Sequence, residues 1–114
     1  MKYLCLVYLE DDKLHAVPDA ECMNCGNDLR TKGLLLAAEP LYPAATAKTL
    51  RVRNGRTMVT DGPFAETKEQ LGGYHLVECH DLDEAMAIAA RIPTLSAGGA
   101  IEVRPVAVPD CGPR

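Results

Sequence analysis

Val59-Thr60-Asp61-Gly62-Pro63-Phe64-Ala65-Glu66-Thr67-Lys68-Glu69-Gln70-Leu71-Gly72-Gly73-Tyr74 sets a rigid turn, the chain's one Phe, three carboxylates and a double glycine between two strand-like runs. Asp61-Gly62-Pro63 is a turn by composition. The Asp carboxylate can accept from backbone N–H groups ahead of it, and proline fixes φ at a helix start. Glu66 to Gln70 then reads as a short helical segment. Gly72-Gly73 serves as its stop, or as a place of close backbone approach. Phe64 is expected to plug this loop onto the core.

Upstream, Ala47 to Arg53 and Arg56 to Thr60 flank Asn54-Gly55, the strongest short hairpin signal. A two-residue turn there pairs Arg53 with Arg56, Val52 with Thr57, Arg51 with Met58 and Leu50 with Val59. It also puts Arg51, Arg53 and Arg56 on one face. Downstream, Gly73 to Cys79 reads as a strand, with His75, Val77 and Cys79 on one side and Tyr74, Leu76 and Glu78 on the other. Lys2 to Leu9 is a strand that is apolar on both faces: Tyr3, Cys5, Val7 and Leu9 against Leu4, Leu6 and Tyr8. A helix is expected from Asp19 to Lys32, closed by Gly33, and a strand from Leu34 to Glu39. Asp81 and Glu84 have capping-box spacing before a helix whose inner face is Leu82, Ala85, Met86, Ala89 and Ile92. Pro93 stops it, and Ala100 to Val106 is the last strand.

The order is β-α-β, an inserted hairpin and turn, then β-α-β: a ferredoxin-like α+β plan (βαββαβ) within one domain, residues 1–108. Pro109 to Arg114 is expected to be a mobile tail. Two helices cover one sheet face only, so the doubly apolar first strand calls for a second copy of the chain on the other. A homodimer is the expectation.

The 59–74 stretch closely resembles the signature of the DGPF group within the YCII-related proteins. That resemblance implies the dimeric α+β barrel fold, in which two such sheets close face to face. It also implies similarity to muconolactone-isomerase-type enzymes, which move protons on small substrates without a cofactor and for which a His–Asp pair is proposed. By that analogy His75 is the base, with Glu66 or Asp61 as its partner. Arg51 or Arg53 is then the anchor for a carboxylate-bearing ligand, and Glu69 and Tyr74 complete the candidate ligand-binding set. In the family pattern an aromatic residue often stands at the His75 position, and this chain departs from it. The resemblance implies a second role as well, since proteins of this group are often encoded beside extracytoplasmic-function sigma factors and look like their partners. Such a protein would be a non-catalytic regulatory or interaction module.

The residues themselves carry part of this. Glu66 and Glu69 share a helical face close in sequence to His75, and a carboxylate that fixes an imidazole tautomer is a common acid–base pairing. A satisfied core or interface histidine is the plainer alternative. Three arginines on one hairpin face call for an anion, from the protein or from a ligand, or else keep an exposed tip soluble.

At 114 residues and a formal net charge of -4 the chain suits one core and lacks the basic surface that nucleic-acid binding requires. No apolar run long enough for a membrane span or a signal peptide is present, so a cytoplasmic location is expected. The five cysteines are scattered. Cys22 and Cys25 have the C-x-x-C spacing of zinc and thiol-redox centres, but no second such pair exists and His15 is the one nearby imidazole. Incidental thiols remain the third reading, and no metal or cofactor is expected.

Overall fold

The computed structural model describes residues 1–13 and 19–108, the side chains of 19–23 excepted. The expectations for His15, the Cys22 thiol, Cys111 and the 109–114 tail lie outside the described residues. Along the chain run β1 (Lys2–Glu10), α1 (Asp19–Thr31), β2 (Leu35–Pro40), β3 (Lys48–Arg53), β4 (Arg56–Asp61), β5 (Glu69–Glu78), α2 (Leu82–Ala89), α3 (Pro93–Ser96) and β6 (Ala100–Pro105). Single 3-10 turns follow β1 and precede β3.

One four-stranded sheet has the order β2-β5-β1-β6, every neighbour antiparallel. This is the ferredoxin-like α+β arrangement. β3 and β4 form a separate two-stranded sheet with the register Arg53↔Arg56 through Lys48↔Asp61. Asn54 and Gly55 both hold positive φ, 52° and 74°, as a type I′ turn demands.

The core lies on one sheet face. β1 contributes Tyr3, Cys5, Val7 and Leu9, and β2 and β5 contribute Leu35 and Val77. Above them sit Leu29 of α1 and Ala85, Ile88 and Ala89 of α2, with Ile92 beyond it. The inner face of α2 thus differs from the expected one. Leu82 and Met86 are nearly half exposed, and Ile88 takes the inward place between two alanines. Small side chains let the helix approach the sheet closely, and the single large one fills the gap. Asp81 does cap α2, accepting from the Glu84 N–H, while the Glu84 carboxylate accepts from His80 N–H one residue further back. α2 ends at Ala89, with Ala90 as its C-cap, before the expected stop at Pro93, which instead opens α3 as its first residue.

A second difference concerns the 61–73 segment. No helix forms from Glu66 to Gln70; residues 62–68 are an irregular turn, and β5 begins already at Glu69. The cause is non-local. β1 runs on to Glu10, so Leu9 and Glu10 offer ladder partners to Gln70 and Glu69. Pairing with the sheet outweighs the modest helix propensity of Glu, Lys and Gln. Gly72 is the extra residue of a bulge, where the register against β1 shifts between Val7 and Tyr8. At Gly73 an added Cβ would meet the Glu39 carbonyl oxygen at 3.1 Å, so the double glycine serves close strand approach and a bulge.

Candidate functional site

The irregular turn after β4 stands over the end of the main sheet and faces the 41–47 connection. Leu41 N–H donates to Gly72 O (2.9 Å) and Gly62 N–H to Ala47 O (2.8 Å), which ties the two segments to β5 and to each other. Gln70 braces the loop from below, its amide donating to the carbonyls of Ala65 (3.0 Å) and Thr67 (2.8 Å). Between the segments lies a cleft of about 520 Å³, whose walls include Leu41, Tyr42, Phe64 and Leu71 with Tyr8 and Gln70. A shallower hollow of about 430 Å³ opens on the β6 side of the same turn, lined by Lys68, Glu69 and Glu102 among others.

Phe64 is not the core plug expected of it. It is 74% exposed, and the Arg51 guanidinium lies 4.8 Å from its ring centroid. Such a stack holds a planar cation in place on a wall residue of the cleft without consuming its hydrogen-bond donors. Arg53 and Arg56 share that face of the hairpin further toward its tip. Asp61 pairs with Lys48, its cross-strand neighbour, rather than with an arginine or His75. Glu66 and Glu69 are exposed and make no ion pair among the described residues. Lys68 reaches Glu10 at 3.2 Å.

His75 and Tyr74 fall on opposite faces of β5. Tyr74 stands beside Leu6 on the open face, while His75 is flanked by Cys5 and Ala38 on the helix side. Burial alone pulls the imidazole below its usual pKa, with no charged group contributing, and its buried Nδ1 has no partner. The structure therefore brings Arg51 to Phe64, a wall residue of the cleft, and Asp61 to Lys48. It places no carboxylate beside His75. The sign of the resulting pH dependence is fixed: the unfolded chain takes up this proton more readily than the folded one, so stability is full above the unfolded pKa near 6.5 and falls as pH drops below it. We expect thermal melts of the wild type to decline from pH 7.5 toward pH 5, and His75→Leu to flatten part of that decline. Identical pH profiles for both proteins would remove the buried neutral imidazole from the account.

The remaining thiols offer little chemistry. Burial, and then neighbouring Cys79, push Cys5 up to about 11, which leaves it a neutral thiol near pH 7. Cys25 donates to the Arg91 carbonyl, and burial raises its pKa too. Beside it Asp28 is held by Arg91 and Lys32, which keep its carboxyl below the usual range. No group of three or more His, Cys, Asp or Glu is placed to hold a metal ion among the described residues. Nor is any described helix long and apolar enough to cross a membrane.

The YCII-related domain matches residues 1–108. The chain belongs to the YCII-related family. A relative of this YCII-related protein, an uncharacterised protein of Rhizobium meliloti (strain 1021), is 49% identical over 69 residues. The match covers 60% of this chain and 56% of the relative, so the chain spans little more than half the length of that relative.

Sequence reasoning missed most of the cleft wall, namely Tyr8, Leu41, Tyr42, Gln70 and Leu71. One signal was present: Leu41-Tyr42 lies between Pro40 and Pro43, an apolar pair held in a segment that cannot be a strand interior. Tyr42 is 86% exposed and stands beside the 41% exposed Leu41 in the cleft wall.

Proposed function

We propose that this YCII-related protein binds a small, largely apolar molecule bearing a carboxylate or similar anion in the cleft between residues 41–47 and 63–71. The observation that carries the reading is the stack of Arg51 on Phe64, a wall residue of a mainly apolar cleft. Concave, mainly apolar sites with a few fixed polar groups are what small ligands occupy. Aromatic walls from Tyr8, Tyr42 and Phe64 suit a ring, Gln70 offers an amide, and Arg51 meets the charge. Proton transfer would need a titratable group facing the ligand. His75 lies on the far side of the sheet, so binding is the better-supported role. The functional unit in this reading is a homodimer, because Leu4, Leu6, Tyr8, Tyr74 and Leu76 on the open face are only half buried within one chain.

The test uses benzoate and benzamide as matched probes, followed by amide chemical shifts across residues 41–47 and 63–71. Benzoate is expected to perturb these residues selectively. Arg51→Gln is expected to weaken benzoate about ten- to a hundredfold, in line with the ~1.5–3 kcal/mol of a hydrogen bond to a charged group. Benzamide should be indifferent to that substitution, and Phe64→Ala should weaken both. Shifts scattered over the surface, or no shifts with either probe, would remove the cleft as a site.

A further inference from the structure

The β3–β4 hairpin is the least explained part of the molecule. All its strand residues except Thr49 are exposed. Its two faces are nonetheless sharply unlike. The register puts Leu50, Val52, Thr57 and Val59 on one side, with the Lys48–Asp61 ion pair at the base of that side, and Thr49, Arg51, Arg53, Arg56, Met58 and Thr60 on the other. Leu50, Val52 and Val59 are 64%, 69% and 61% exposed. Such alternation belongs to a ribbon with one buried face, and a lone two-stranded hairpin is marginal in water. No described residue of the chain's own body covers that face.

Two global quantities show the chain to be more open than a compact monomer. The accessible surface is 8016 Å², roughly a third more than the ~6,100 Å² expected of a compact monomer of 12.3 kDa. The radius of gyration is 16.1 Å, against about 13 Å for a compact domain of this length. A standard interface takes about 800 Å² from each partner, which the excess readily supplies. Charge then decides what the arm meets. Residues 48–61 hold four basic side chains and one acidic, a net +3, on a chain of net -4, so the remainder carries -7. An arm laid on another arm sets like charges together; an arm laid on the body of another copy sets opposite ones together.

We propose that the β3–β4 arm is a clasp for a second copy of this chain, the apolar side of each arm packing on the body of its partner. The inference rests on the homodimer reading above and adds to it which element holds the two copies. Sedimentation equilibrium at micromolar concentration is expected to show a dimer that loosens with added salt. Leu50→Glu combined with Val59→Glu is expected to weaken it at least about thirtyfold, the effect of removing one interface hot spot. Arg53→Glu with Arg56→Glu is expected to weaken it too and to blunt the salt dependence. The arm holds no core residue, so the circular dichroism spectrum should stay as in the wild type, and the melting temperature should fall only by what the lost association contributed. A photo-crosslinker at position 50 is expected to label residues 1–40 or 69–105 of the other copy. A dimer equally tight in the Leu50→Glu/Val59→Glu protein, or crosslinks confined to the other arm, would overturn the clasp while leaving the homodimer in place. A wild type that stays monomeric would overturn both.

Discussion

Leu29→Ala is expected to lower the stability of the protein by about 2–5 kcal/mol, the range for emptying a fully buried leucine site. Leu29 is the one fully buried side chain of α1 among the described residues, at 0% exposure, and its neighbours on the helix are poor helix formers. Asn24, Cys25, Gly26 and Asn27 add little intrinsic stability, so α1 stays helical chiefly because Leu29 is anchored in the core with Val77 and Leu35. Its C-terminus is closed locally, by Gly33 at φ 74° and by Leu34 N–H donating to Leu29 O at 3.0 Å. Those bonds hold the helix end but do not replace the anchor. For a domain with a total stability of ~5–15 kcal/mol, such a loss should lower the melting temperature by about 10–25 °C. Hydrogen exchange should show α1 opening before the sheet. Arg30→Ala, one residue on and exposed, is expected to change little. A Leu29→Ala melt within a few degrees of the wild type would mean that α1 is held by something other than this anchor.

Gly99→Ala is expected to be the next most damaging change, although it adds a single methyl group. A Cβ there would lie 2.9 Å from the carbonyl oxygens of both Thr94 and Tyr8, and 3.5 Å from Leu9 Cβ. Both oxygens are backbone, one in α3 and one in β1, so neither can swing aside as a flexible side chain would. Relief requires β6 to move off β1, at a cost of about 1–3 kcal/mol. Gly26→Ala makes the matched control. Its added Cβ meets only Leu35 Cδ2, at an ordinary 3.7 Å, inside a helix where alanine is better than glycine by ~0.5–1 kcal/mol. Thermal melts should therefore move in opposite directions for the same substitution at the two sites. Equal shifts would show that crowding at Gly99 is relieved without separating the strands.

Local chemistry wrote its share of this structure plainly into the sequence. Asn54-Gly55 specified the hairpin and its register, because both residues tolerate the positive φ that a type I′ turn needs. Asp81 specified where α2 starts, because its carboxylate reaches the Glu84 N–H within one turn. The alternation of Tyr3, Cys5, Val7 and Leu9 with Leu4, Leu6 and Tyr8 specified both β1 and its two-sided character. Each of these depends on residues within a few positions of one another.

The candidate site depends on residues far apart, and there the tertiary structure decided. Glu66 to Gln70 has helix-forming side chains, yet Glu69 and Gln70 join a strand because β1, some sixty residues earlier, extends to meet them. Phe64 looked like a core residue by type, but a loop carried past the end of the sheet left it exposed under Arg51. Which face of β5 meets the helices also had to come from packing, since alternation separates His75 from Tyr74 without saying which is covered. The pairing of Cys5 with His75, and of Val77 with Tyr3, settled that His75 lies inside and away from the cleft. Short-range sterics and hydrogen bonds can be summed along a sequence. Burial, and the partner each charge finds, are properties of the assembled sheet.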